Sequence, residues 1–445
     1  MMSIDEESEM MKLLDIRDVD ELFADVPEGI KGKIIQIPKG ISEDELIEEA
    51  YSISRMNRDK EYYNFLGNGI YDRIIPSSVD AIVSRSEFET SYTPYQAEIS
   101  QGMLQSLFEY QSIISDLTEM DMTNSSMYDG YSALGEAVRM AFRINGKKEI
   151  LIPANMYDDK VKVIESYTEG LDLKFLRYSL DHKTGYINLD DIQGKITDST
   201  AAIVCELPNA YGILDENAPR IQEIKKDALL ISYYDPISLG SVIPPGQYGT
   251  DIAVSEGQQL GIHPNFGGPL LGLFSFKKEY VRRSPGRIIG ETLDTNGKRA
   301  FVMTLQTREQ HIRRAKATSN ICTNQALMAL TALTYLSIVG KSGLKKVADS
   351  TVSTSLSLKN QLIKHGLVNP NTVTGVPFSD VLVSFNKAQN NLQQELAKNG
   401  ILGGLKMSKI INEKYDSINN AHFFSVTERT TKKHIEKLID SLGVL

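Results

Sequence analysis

From about residue 76 to 325, short apolar runs alternate with amphipathic stretches of helical length, and this alternation constrains the fold more than any single motif does. The runs at 149–154 (EILIPA), 171–179 (LDLKFLRYS), 201–207 (AAIVCEL), 228–235 (ALLISYYD), 251–256 (DIAVSE) and 268–276 (GPLLGLFSF) read as strands. Helical crossovers return the chain to the same end of a sheet, so the expected class is α/β with a mostly parallel sheet. Ligands of such sheets bind beyond the carboxyl ends of the strands, so the loops after these runs are where chemistry is expected.

The rest of the chain divides around this region. Residues 1–75 read as a charged helical arm, with Ser42 and Glu45 spaced as a capping box. The large domain is expected over 76–340, ending in a buried helix at 325–339. Residues 341–445 read as a smaller α+β domain with strands at 380–385 and 421–427 and an amphipathic closing helix. At 445 residues, with 41% apolar and 24% charged side chains, there is ample material for a core.

A net charge of −10 lacks the basic footprint of a non-specific nucleic-acid binder. The two cysteines, Cys205 and Cys322, form neither a disulfide framework nor a C-x-x-C site. With no signal-peptide pattern and no uninterrupted membrane-length run, a cytoplasmic location is expected. The six histidines are scattered, and no metal site is expected. Gly67-Asn68-Gly69 lacks the third glycine of a dinucleotide loop, because Asp72 stands there. Gly340-Lys341-Ser342 lacks the leading glycine of a phosphate loop, because Tyr335 stands there.

Four constellations remain. Thr93, Pro94 and Gln96 have the chemistry of a helix start: a hydroxyl N-cap, a proline at the first position and an amide reaching back. Ile99, Met103, Leu107, Tyr110, Ile114 and Leu117 then mark one apolar helix face. Tyr92, Tyr95 and Glu98 are left over, and spacing leaves open whether they cover a partner's ligand. Small and hydroxyl residues at 123–132 precede a helix whose amides suit either an anion or an ordinary cap. Asp235 ends a strand where a carboxylate can pair with a pyridinium nitrogen, yet no lysine occurs from Asp251 to Phe276 to form the Schiff base such a cofactor requires. The basic run Arg308, His311, Arg313, Arg314 and Lys316, followed by Asn320, Cys322 and Thr323, reads equally as a solvated face or an anion-facing surface.

The segments 92–111 (YTPYQAEISQGMLQSLFEYQ), 256–272 (EGQQLGIHPNFGGPLLG) and 284–326 (SPGRIIGETLDTNGKRAFVMTLQTREQHIRRAKATSNICTNQA) resemble the amino-terminal half of the glycine decarboxylase (P-protein) family of the glycine cleavage system. The resemblance spans about 60–340 and implies a fold type I pyridoxal phosphate (PLP) dependent, transferase-like large domain. It implies the separate first subunit of the two-chain form, with PLP held covalently by a lysine of the second subunit; Gln258 stands approximately where that lysine would be. The implied reaction is decarboxylation of glycine with transfer of the aminomethyl group to the lipoyl arm of the H-protein. Two copies of each subunit are expected. The residues expected to reach the partner's glycine and PLP are Tyr92, Thr93, Tyr95, Gln96 and Glu98, with His311, Lys316, Asn320, Cys322 and Thr323 near the same cleft. A non-catalytic scaffold and a self-sufficient aminotransferase-like enzyme remain open beside this reading.

Overall fold

The computed structural model describes residues 4–32, 37–58, 61–306, 309–321, 323–389 and 391–444. Cys322, Arg308 and the other residues between these ranges lie outside the described residues. Contacts divide the chain into two units, Met1–Asp59 and Lys60–Leu445. In the first, the expected capping box forms ahead of the helix Glu43–Ser54: the Ser42 amide donates to Glu45 (2.8 Å) and the Glu45 amide to the Ser42 hydroxyl (3.3 Å). No side chain described in this unit is buried.

The second unit is built on seven strands: β1 (Met122–Thr123), β2 (Glu149–Pro153), β3 (Lys174–Tyr178), β4 (Thr200–Leu207), β5 (Leu229–Tyr234), β6 (Ile252–Glu256) and β7 (Gly272–Phe276). Their order is β1-β7-β6-β5-β4-β2-β3, and only β7 runs against the rest. Every strand expected from the apolar runs is present. The two-residue β1 was not expected, being too short to leave a periodic signal.

Helices α1 (Gln101–Thr118), α2 (Gly130–Asn145), α3 (Asp158–Tyr167) and α4 (Ala326–Lys364) cover the sheet. Successive strand residues point to opposite faces. Ile252, Val254, Phe274 and Phe276 therefore meet Ala133, Leu134, Ala137 and Val138 of α2 on one face. Ala253, Leu271 and Leu273 meet Leu104, Leu107, Tyr110 and Ile114 of α1 and Leu330 and Tyr335 of α4 on the other. Each fully buried side chain of this kind contributes roughly 1.5–3 kcal/mol over leaving it exposed. The α4 helix is long and apolar enough to cross a membrane, but Ala329 to Leu336 are buried in this core.

The expected start of α1 is corrected. Residues 92–96 are not helical; a 3-10 turn spans Ala97–Ile99, and the helix begins at Gln101. Tertiary contacts override the local cap: the Gln101 amide donates to the Ala97 carbonyl (2.8 Å) and the Phe301 carbonyl (2.9 Å), and accepts from the Phe301 amide (2.9 Å). Ile99 is consequently 80% exposed instead of lying on the apolar face, while Met103, Leu107, Tyr110 and Ile114 are buried as expected.

Beyond the main sheet, a hairpin of β8 (Ile288–Leu293) and β9 (Arg299–Thr304) packs on α1. The C-terminal part carries β10 (Asp380–Ser384), β11 (Leu405–Lys406) and β12 (Ala421–Ser425) in the antiparallel order β10-β12-β11, closed by α5 (Lys432–Val444).

Candidate functional site

The carboxyl ends of β4, β5 and β6 bring Glu206, Tyr233, Tyr234, Asp235, Glu256 and Gln259 to one small cavity of about 70 Å³. Tyr131 from α2, Tyr157 and Lys160 from the start of α3, and Asp380 from β10 complete its wall. This is the place where a parallel sheet offers a ligand site, yet each group that would hold a phosphorylated cofactor is already engaged. Asp235 accepts from the Ile237 amide (2.8 Å), the Ser238 amide (3.0 Å) and the Gln259 side-chain amide (2.7 Å). Gln258 is turned into the wall, where its side chain bonds both backbone groups of Tyr71 and the Ile262 carbonyl.

The amino terminus of α2, where an anion could have sat, is closed by carboxylates. Asp129 is its N-cap and accepts from the Tyr131 amide (2.9 Å) and the Ser132 amide (2.8 Å). Glu256 accepts from the Gly130 amide (2.8 Å) on one oxygen, and from Gln258 (2.9 Å) and Leu271 (3.2 Å) on the other. Burial, opposed by these three amide bonds and reinforced by Asp129, lifts Glu256 to about 7. Lys160 is the one lysine lining the cavity, and it is paired with Glu206. Among the described residues of this cleft no free amine, no open helix terminus and no free pyridinium partner remains, so they do not fit PLP.

A second cluster forms from residues that stand in two separate segments of the sequence, 92–98 and 311–323, neither of which lines this cavity. The Tyr92 hydroxyl lies 3.1 Å from the Thr323 hydroxyl. The Tyr95 hydroxyl accepts from Arg287 Nη2 (2.9 Å), and the Tyr95 ring stands edge-on to His311 with centroids 6.3 Å apart. Arg287 lies 5.2 Å from the centre of the Tyr95 ring, and Glu309 approaches both Arg287 Nε and His311 Nδ1 at 3.6 Å. Arg287 and Glu309 were not among the expected residues; both lie inside the segment that carries the resemblance, but nothing in their spacing marks them.

Arg287 is only 5% exposed, and its Nη1 has no hydrogen-bond partner among the described residues. A buried donor left open in this way is costly unless something outside the chain satisfies it.

The other expected residues are placed less closely. Thr93 is half-buried beside a buried Pro94, while Gln96, Glu98, Lys316 and Asn320 are exposed and share no hydrogen bond or ion pair with the cluster. The segment leading out of Thr323 is tied down: the Asn324 side-chain amide donates to the Ser125 carbonyl and hydroxyl (both 3.0 Å), and the Gln325 amide to the Ser126 hydroxyl (3.0 Å). Cys205 is a buried core thiol whose ionisation burial pushes up to about 12, so it offers no nucleophile.

Comparison with known proteins identifies the family and the fold. The sequence model of the family described as Glycine cleavage system P-protein matches residues 2–442. The "Probable glycine dehydrogenase (decarboxylating) subunit 1" of Thermoplasma volcanium is 55% identical over 443 residues, covering 99% of this chain and 100% of that relative. The crystal structure of a glycine decarboxylase (P-protein) in inhibitor-bound form aligns with a TM-score of 0.89 at 34% identity, over 100% of this chain and 98% of that one. A NifS-like protein aligns with a TM-score of 0.63 at 12% identity, over 86% of this chain and 98% of that one, and shares the fold alone. The fold is that of fold type I PLP-dependent enzymes, as expected.

Proposed function

The chain belongs to the glycine cleavage system P-protein family, and we propose that it is the first subunit of a two-chain glycine decarboxylase, completing an active site whose lysine stands on the second subunit. One observation carries this reading: the chain's own cleft is closed to PLP, while Tyr92, Tyr95, Arg287, His311 and Thr323 gather at a surface where the buried Arg287 Nη1 has no hydrogen-bond partner among the described residues. When bound to the second subunit's lysine, PLP supplies an electron sink for loss of the glycine carboxylate.

This chain's share is binding and orientation. Arg287 Nη1 offers a charge-assisted bond to a carboxylate or phosphate oxygen presented from the partner. Because the Tyr95 oxygen accepts from Arg287, its proton is left to point away from the guanidinium, toward the ligand. Glu309 balances the Arg287 guanidinium and lies 3.6 Å from His311 Nδ1, so the arginine does not meet the ligand as a bare positive charge. Tyr92 and Thr323 brace the two segments against each other. The aminomethyl carbon then leaves for the lipoyl arm of a lipoylated H-protein, where one sulfur of the disulfide takes the carbon and the other is reduced. Two copies of each subunit make the assembly.

The test is reconstitution with the second subunit. Tyr95→Phe removes one oriented hydroxyl and is expected to lower glycine turnover at least about tenfold. If Tyr95→Phe and Glu98→Ala both turn over glycine at the wild-type rate, the segment 92–98 serves assembly alone. Borohydride reduction with PLP followed by peptide mass spectrometry locates the amine: a labelled lysine is expected on the second subunit and none on this chain. Stoichiometric labelling of one lysine here would make the chain a self-sufficient enzyme instead.

A further inference from the structure

Lys160 is in the wrong place for an ordinary lysine. It occupies the first turn of α3, where the helix macrodipole disfavours a cation, and it is only 4% exposed although its neighbours Asp159 and Lys162 are in solvent. Long side chains at such positions normally carry the charge out to water. Lys160 turns inward instead. Its ammonium lies 3.9 Å from the centre of the Tyr233 ring, 5.3 Å from Tyr157 and 5.4 Å from Tyr131. It donates to Glu206 Oε1 at the end of β4, and the side chains of this pair are 6% and 2% exposed.

Three aromatic faces and a buried carboxylate are what an ammonium receptor consists of. Glu206 also keeps a second oxygen, Oε2, without a hydrogen-bond partner among the described residues, in the wall of the 70 Å³ cavity. Asp235 lines the same space, with Glu256 and Asp380, whose burial favours their neutral form. The carboxylates Glu206 and Asp235 disfavour phosphates and carboxylates here and favour a cation.

We propose that this cleft is an ammonium-recognition site whose ligand is the chain's own Lys160 side chain, and that it accepts a small primary alkylammonium ion once that side chain is shortened. The built-in ligand ties α2, α3, β4 and β5 together through Tyr131, Lys160, Glu206 and Tyr233. The carboxyl edge of the sheet is thereby ordered without anything bound from solution. The inference concerns the isolated chain and does not depend on the role assigned to the second cluster.

The test uses the full-length Lys160→Ala chain, which lacks three methylenes and the amine, with n-propylammonium as the probe. Saturable binding with a Kd on the order of 1 mM is expected, with the thermal midpoint rising by about 1.5 °C at ten times Kd. The wild-type chain, its site filled, is expected not to respond, and 1-propanol and propionate are expected not to replace the amine. An equal response of the wild type, or equal stabilisation by 1-propanol, or no binding to a folded variant, overturns the proposal. Should Lys160→Ala fail to fold, Lys160→Met with and without Glu206→Gln decides. The double variant is expected to have the higher thermal midpoint because it removes a stranded carboxylate. A double variant no more stable than Lys160→Met alone overturns the proposal equally.

Discussion

Arg287 shows where reading residues from the sequence stops. In SPGRIIGETL it is one arginine ahead of an apolar run, with no partner at a meaningful spacing. Its significance arises only when the chain entering β8 carries it under Tyr95 and beside Glu309, leaving Nη1 without a hydrogen-bond partner among the described residues at 5% exposure. Tyr92, Tyr95, His311 and Thr323 were legible because a long family resemblance carries them, and the structure draws these four together. Replacing Arg287 by lysine keeps the charge but loses the planar fork that bonds Tyr95 and an outside oxygen at once. In the reconstituted enzyme Arg287→Lys is expected to lower kcat/KM for glycine at least about tenfold with the subunits still associated. Wild-type kcat/KM in both Arg287→Lys and Arg287→Met would reduce the residue to a packing element.

Elements were legible in proportion to their periodicity. The strands at 149–154, 201–207, 228–235 and 251–256 are buried on both faces and read as continuous apolar runs, which is why all of them appear where expected. The hairpin β8–β9 was passed over although Asn296-Gly297 marks its turn, with Gly297 at φ +75°; its outer residues Glu291 to Leu293 are exposed, so no apolar run announced it. The start of α1 failed for the opposite reason, because a good local cap at Thr93 lost to the contacts of Gln101 with β9. In α4 the apolar stretch predicts a helix at 325–339 and a further helix opening the region after 341; the structure joins the two into one element that runs to Lys364 across a kink at Gly340. There φ is +62° and ψ 176°, a region essentially restricted to glycine. Gly340→Ala has room for its Cβ, so the cost is conformational alone. Urea unfolding is expected to show a loss of about 1–3 kcal/mol; an unchanged midpoint would mean that the helix straightens without penalty.

At the scale of the whole molecule, the two-chain assembly proposed above requires a docking surface for the second subunit, and one exposed turn is a candidate for it. Phe266 sits at the tip of the turn after β6 with its side chain fully in solvent. Its φ is +52°, a conformation that a bulky side chain rarely adopts without a reason. The turn is held by short backbone bonds, Asn265 to His263 at 2.8 Å and Phe266 to Pro264 at 2.5 Å, so the ring is presented on a fixed support. When two related folds pair about a pseudo-twofold axis, corresponding loops approach the same interface. By the family resemblance the equivalent turn of a second subunit follows its lysine, and in the proposed pairing Phe266 would enter that partner as an aromatic anchor. Such an anchor carries a disproportionate share of binding energy, and its removal weakens association without touching the chemistry. Phe266→Ser is therefore expected to raise the subunit dissociation constant by about thirtyfold or more, while kcat at saturating second subunit stays at the wild-type value. Sedimentation of the mixed subunits measures the first and a partner titration of glycine turnover the second. An unchanged dissociation constant would leave Phe266 a solvent-facing loop residue, and a fall in kcat at saturation would place it in the active site instead.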